Sequence, residues 1–181
     1  ILLNGARDLG TPGPDYRYGY GYLQLEPGLR MLENHTYTER TIAHNATTDT
    51  VITVLPGQSQ LKVMLYWHDP AASPLAEQTL VHDLDLKVIA PGGQVFYPKI
   101  LNPSPGSVAS PAIEAPDHTN NSEQVVIDKP VAGNYTIRVR GTDVLAQGSQ
   151  AFSMVYNQVP VNIHFSNPVE GGAWPAGAVG Y

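Results

Sequence analysis

From about residue 50 onward, apolar and polar residues alternate with a period of two in five short segments, residues 61–67, 83–89, 134–140, 152–156 and 161–165. In the second of these, Leu84, Leu86 and Val88 fall on one face and charged residues fall on the other. Such alternation predicts strands that bury one face. Pro-Gly, Gly-Gly and Gly-Asn turns separate the segments. The pattern therefore predicts a mainly β fold, an antiparallel β-sandwich or jelly roll.

The first 36 residues follow a different pattern. Residues 1–6 look like the end of a helix that Gly and Pro residues interrupt at positions 10–14. A second helix is predicted over residues 23–32, where Leu25, Leu29 and Leu32 recur at helical spacing. We therefore divide the chain into a short helical N-terminal remnant (1–36), a β-sandwich domain (45–158), and a linker with the truncated start of a further β domain (159–181).

Composition excludes several classes of protein. The 181 residues are 42% apolar and 14% charged, which suits a folded domain. A net charge of −6 argues against a nucleic-acid partner, because phosphate binding needs a basic surface. The sequence has no Cys, which excludes disulfide bonds and thiolate metal sites. It also has no apolar run long enough to span a membrane. Since it begins and stops within a pattern, we expect it to be a fragment cut from a longer protein at both ends.

Several motifs, in order, resemble those of subtilisin-like serine proteases (subtilases). Residues 6–10, 12–16 and 18–23 (ARDLG, PGPDY and YGYGYL) resemble the end of the subtilase catalytic domain. A second set of segments is similar to the β-sandwich or jelly-roll domain that follows the catalytic domain in some bacterial subtilases. That domain is related to the P domain of kexin-like convertases. The segments are WHDP at 67–70, LVHDLDLKV at 80–88, PGG at 91–93, NNSE at 120–123, AGNYTI at 132–137 and QAFS at 150–153. The resemblance covers about residues 1–157. His82 departs from it, because family members often carry Asn there.

The resemblance implies a non-catalytic accessory domain of a secreted or cell-surface serine endopeptidase, whose partner is the catalytic domain of the same parent protein. The family's Gly-Thr-Ser-Met nucleophile motif is absent from this sequence, as are its Asp and His signatures. An unrelated hydrolase could be assembled from a Ser, His68 or His82, and Asp69. We favour turn or surface roles for these residues and assign no catalytic residue.

A calcium site is the best candidate for bound chemistry. Asp83 and Asp85 lie two apart on a predicted strand, so their carboxylates share a face roughly 7 Å apart. Asp117, Asn121 and Glu123 lie at or just beyond the end of the long loop at 101–121 and add oxygen donors of the kind that Ca²⁺ prefers. The resemblance also implies calcium, since C-terminal β domains of subtilases often bind it. The alternative is a solvated acidic face with Lys87 as its partner.

Other patterns leave alternatives open. The six His residues show no zinc-ligand spacing. Tyr16, Tyr18, Tyr20 and Tyr22 suggest either a carbohydrate platform or, as we favour, a turn packed against a protease core. For the whole chain, the alternatives to a protease accessory domain are a module that binds a polymer such as collagen or polysaccharide, and a processed surface or filament subunit.

Overall fold

The computed structural model describes residues 1–145 and 148–161. Two short helices precede a series of strands. Their bounds are α1 Leu2–Gly5, α2 Leu25–Glu33, β1 Tyr37–Ala43, β2 Thr47–Val54, β3 Gln58–Trp67, β4 Asp83–Ile89, β5 Val95–Phe96, β6 Lys99–Ile100, β7 Ile113–Glu114, β8 Ser122–Asp128, β9 Gly133–Asp143 and β10 Ser149–Pro160.

The strands form two facing four-stranded sheets. One has the order β1-β10-β3-β8 and the other β2-β9-β4-β5, and all neighbouring strands run antiparallel. Successive strands of these two sheets alternate between them, except β4 and β5, which pair with each other; this is the strand order of a double Greek key, or jelly roll. The small β6–β7 pair lies in the connection between β5 and β8. The predicted mainly β, antiparallel sandwich or jelly roll is confirmed.

One apolar core fills the space between the sheets. In β4, Leu84, Leu86 and Val88 are fully buried while the residues between them are half-buried, as the period of two predicts. Tyr135 and Ile137 on β9 extend this core. Further fully buried members are Val54, Leu61, Val63, Leu65, Trp67 and Val125.

Strand β3 departs from the simple alternation because both of its faces are covered. The sequence places Lys62 and Met64 on the polar face, yet both are buried. Met64 forms a second apolar cluster with Met31 of α2 and Val155 of β10. A strand sandwiched between two layers loses the polar face that a half-exposed strand would show. The N-terminal segment, residues 1–36, supplies that second layer.

Buried hydrogen bonds hold the N-terminal segment on the sheet. Asn4 is fully buried; its Nδ2 donates to the Lys62 carbonyl at 3.2 Å, and its Oδ1 accepts from Gln124 Nε2 at 3.1 Å. Lys62 Nζ donates to the Ala6 carbonyl at 2.8 Å. Burial lowers the pKa of the Lys62 ammonium below its usual value. Each of these buried groups has a partner, so the layer is an integral part of the fold.

The outward face of α2 is apolar. The helix begins two residues after the predicted start and ends one residue beyond the predicted end. Its leucines at helical spacing point away from the sheet: Leu25, Leu29 and Leu32 are 69%, 54% and 45% exposed. Gly28 and Met31 instead face inward.

The division of the chain at residues 36, 45 and 158 remains a prediction. The predicted further β domain lies outside the described residues from position 162 onward, as does most of the alternating segment 161–165. Neither described helix has the length and apolarity needed to cross a membrane.

Candidate metal centre

The start of β4 and the loop before β8 bring acidic side chains together at one end of the sandwich. Asp83 and Asp85 project from β4, and His118 approaches from the loop. One ligand atom from each of the three lies within 4.8 Å of the others. His118 Nδ1 lies 2.7 Å from Asp83 Oδ2 and 3.7 Å from Asp85 Oδ1. The geometry therefore joins residues that are far apart in sequence.

Glu123 of β8 is the most deeply buried acid of the group. It is 2% exposed, and its Oε2 accepts a hydrogen bond from the Leu86 backbone amide at 2.7 Å. Burial, together with the nearby charges of Asp85, Asp117 and Asp83, raises the pKa of Glu123 from 4.5 to about 10. Burial is also the main cause that raises the pKa of Asp83. Without a compensating cation, this cluster resists full ionisation.

Three carboxylate oxygens in the cluster have no hydrogen-bond partner among the described residues. They are Oδ1 of Asp83, Oδ1 of Asp85 and Oε1 of Glu123, and all three are buried. A buried polar atom without a partner costs about 1–3 kcal/mol, and more when it is charged. Such atoms need an explanation, and a bound ion beside Asp83 and Asp85, with Glu123 nearby, is one.

Two further residues of the predicted set occupy different positions. Asp117 is buried close to the cluster, but its Oδ1 accepts from the backbone amides of Thr119 and Asn120, and its Oδ2 from the Asn120 side chain. It therefore shapes the turn that presents His118. Asn121 donates its Nδ2 to the Trp67 carbonyl at 2.9 Å, which ties the same loop to the end of β3.

Hydrogen bonds to neighbouring side chains fix the backbone just before β4. Asp69 accepts hydrogen bonds from the backbone amides of Val81 and His82, at 2.8 and 2.7 Å. His82 is fully buried, and its Nδ1 lies 2.6 Å from Gln150 Oε1. The side chains of Asp69 and His82 thus serve local structure, in contrast to the hydrolase arrangement considered from the sequence.

The donor set fits a hard cation. Carboxylate oxygens dominate, and Ca²⁺ takes about six to eight oxygen ligands. Asp83 and Asp85 would hold the ion, and its charge would offset the repulsion among these carboxylates and the nearby Glu123. The alternative partner, Lys87, forms no ion pair with these acids within the described ranges; its cross-strand neighbour is Arg138.

His118 is the residue that sequence reasoning missed. Spacing along the chain gave no signal for it, because 35 residues separate it from Asp83. The only local hint is its position next to Asp117 in the long loop. A nitrogen ligand is uncommon for calcium and familiar for zinc. Since the His118 side chain is 54% exposed, it can turn away from the acids at little cost.

The tyrosine-rich turn splits between two environments. Tyr20 is half-buried against the Met31 cluster, and its hydroxyl lies 3.4 Å from Ser122 Oγ. Tyr16, Tyr18 and Tyr22 are exposed. Asp15 organises this turn by accepting hydrogen bonds from the Arg17 and Tyr18 amides, at 2.9 and 2.6 Å.

Comparison with known proteins links the chain to a protease-named protein. It is 26% identical, over 151 residues, to the serine protease/ABC transporter B family protein tagA of Dictyostelium discoideum; the match covers 78% of this chain and 8% of that protein. A solved structure of Bacillus licheniformis lipase BlEst2 in its propeptide form shares 14% identity and a TM-score of 0.39, over 69% of this chain and 22% of that one. No protein-family model matches the chain.

Proposed function

We propose that this chain is a non-catalytic accessory domain of a secreted, subtilisin-like serine endopeptidase, and that it stabilises the catalytic domain of the same parent protein. The observation that carries the proposal is the N-terminal layer. Residues 1–36, which resemble the end of a subtilase catalytic domain, pack on the sandwich through buried hydrogen bonds and present an apolar face outward.

The exposed leucines of α2 supply the surface for the catalytic domain. Leu25, Leu29 and Leu32 form a stripe on one side of the helix, and Leu2 and Leu3 of α1 are also about half exposed. Exposed apolar patches in soluble proteins often mark interaction sites. The name of the Dictyostelium relative supports a protease as the parent. A domain interface of about 600–1,500 Å² would be typical.

Deletion of the sandwich from the parent protease tests this role. We expect an enzyme without residues 45–158 to be poorly expressed, or active with a much shorter half-life at elevated temperature. Thermal inactivation of both forms gives the measurement. An unchanged yield, half-life and substrate range would refute the stabilising role.

We further propose that calcium is the cation held by Asp83, Asp85 and Glu123, with Asp117 and Asn121 shaping the loop beside it. The unpartnered buried oxygens of the three acids support this assignment, and the carboxylates of Asp83 and Asp85 lie close enough together to share one ion. Bound calcium would stabilise the accessory domain by mass action. Calorimetric titration of calcium into chelator-treated protein should give a stoichiometric heat, with zinc as the competing ion. Tight binding of zinc and none of calcium would overturn the assignment.

A further inference from the structure

A concentration of positive charge lies on the outer face of the second sheet, beside the acidic cluster. Lys87 of β4 and Arg138 of β9 are directly opposite each other in the register, and Arg140 follows two residues along β9. All three point outward, because the residues between them, such as Val139, are buried in the core. This concentration stands out in a chain of net charge −6.

Only one of the three cations forms an ion pair within the described part of the chain, although Arg140 lies directly opposite Asp85 in the register. Arg138 makes a bidentate ion pair with Asp49, at 2.7 and 2.6 Å. Arg140 donates to the neutral Asn45 Oδ1 at 3.2 Å, and Lys87 has no hydrogen-bond or ion-pair partner there. Lys87 and Arg140 therefore remain able to bind an anionic group.

The three cations border a pocket of about 480 Å³. This volume lies within the range of small-molecule sites. Exposed Tyr97 and the side chain of Thr47 also line it, and Asp85 and His118 form the wall shared with the acidic cluster. The pocket thus combines the positive charges of Lys87 and Arg140 with the hydroxyl of Thr47 and the aromatic ring of Tyr97.

We propose that this pocket binds an anionic sugar of an acidic polysaccharide. Lys87 and Arg140 hold the acidic group, Thr47 contacts a sugar hydroxyl, and Tyr97 packs against the apolar face of the ring. The aromatic ring favours a sugar over an acidic peptide, because it offers flat apolar contact together with a polar tip. The inference is independent of the protease proposal, since it depends on the sandwich alone.

Calorimetry with short oligomers tests the proposal on the whole chain, after loading with calcium and desalting. The probes are hexagalacturonate, a hyaluronan hexasaccharide and a chondroitin sulfate hexasaccharide, with maltohexaose and a hexaglutamate peptide as controls. We expect at least one acidic sugar to bind, and the preferred probe identifies the group as carboxylate or sulfate. Absence of binding by every acidic sugar would overturn the proposal. Equal or tighter binding of hexaglutamate would reassign the pocket to acidic peptides.

Variants locate the site. Lys87→Gln and Arg140→Gln should each weaken binding about tenfold, the typical effect of losing one charge-assisted hydrogen bond. Lys129→Gln is the matched control, because Lys129 is an exposed lysine directly after β8 and its substitution removes the same charge. An unchanged melting temperature in each variant shows that the fold is intact. Equal affinities for all three variants and the wild type would place the ligand elsewhere and refute this pocket.

Discussion

Two buried polar clusters in the described part of the chain differ in how completely their polar atoms are paired. Under the N-terminal layer, Asn4, Lys62 and Gln124 find all their principal partners within the protein. Around the start of β4, by contrast, buried oxygens of Asp83, Asp85 and Glu123 have none among the described residues. The first cluster is complete as it stands, whereas the second leaves buried acceptors that a bound cation would satisfy under our proposal. The pairing of buried polar atoms, more than burial or charge alone, is therefore our reason for proposing a ligand at the second cluster.

The largest expected effect is the response of the acidic cluster to calcium. For a chain of this size, a ligand at about a thousand times its dissociation constant adds about 4 kcal/mol and raises the melting temperature by about 10 °C. Scanning calorimetry of chelator-treated protein, with and without millimolar calcium, measures it. An identical melting temperature in both buffers would contradict the calcium proposal.

Glu123→Gln shows whether that response comes from this cluster. The amide keeps the shape of the side chain and its acceptor for the Leu86 amide, but it removes one negative charge. Most of the calcium shift should disappear, while the metal-free variant should be at least as stable as the metal-free wild type. Glu114→Gln is the matched control, because Glu114 is exposed and pairs with Lys99. A full calcium shift in Glu123→Gln would move the ion away from Glu123.

The pH dependence of the metal-free protein probes the same carboxylate. The pKa of Glu123 is raised from 4.5 to about 10 in the folded chain, so between those values the folded state holds a proton that the unfolded state has released. The free energy of unfolding must then fall as the pH rises through this window. Urea unfolding in chelator at pH 5 and pH 8 should show lower stability at pH 8, and calcium should reduce the difference. Glu123→Gln should flatten the slope; a slope that this variant leaves unchanged arises elsewhere.

Asn4→Ala tests the complete cluster. It leaves the Lys62 carbonyl and the Gln124 amide without their partner, which costs about 2 kcal/mol for buried groups. The loss should be the same with calcium and with chelator, because Gln124 and Glu123, although neighbours on β8, point to opposite faces of the sheet. Asn102→Ala, in the exposed loop, is the control. A loss that depends on calcium would mean that the two clusters are coupled.

Sequence reasoning succeeded where one local pattern controls the structure. The alternation in β4 and β9 predicted the strands and the buried faces, because each strand borders a single core. It failed for Lys62 and Met64, whose burial depends on a layer contributed by residues 1–36. It placed Asp83 and Asp85 in one candidate group with Asp117, Asn121 and Glu123, but missed His118, which only the path of a long loop brings to the two aspartates. The spacing of residues along the chain does not predict which distant segments come into contact.

The smallest effect on the isolated chain is expected at the outer face of the N-terminal layer. Leu29 is 54% exposed, so Leu29→Ser should change the free energy of unfolding by less than about 0.5 kcal/mol. Met31→Ala, two residues away but buried at 1%, should cost about 2–5 kcal/mol because it opens a cavity. Urea unfolding of both variants measures the free energy of unfolding and so compares the exposed and buried faces of α2.

The same pair of variants separates packing on the sandwich from contact with a catalytic domain. In the parent protease, Leu29→Ser should shorten the thermal half-life although the isolated domain is unaffected, since the lost contact lies between domains. Met31→Ala should weaken both. If Leu29→Ser leaves the parent's half-life unchanged, the leucine stripe is free surface in the parent as well. The partner surface must then lie elsewhere, and the layer contributes only to the stability of the sandwich.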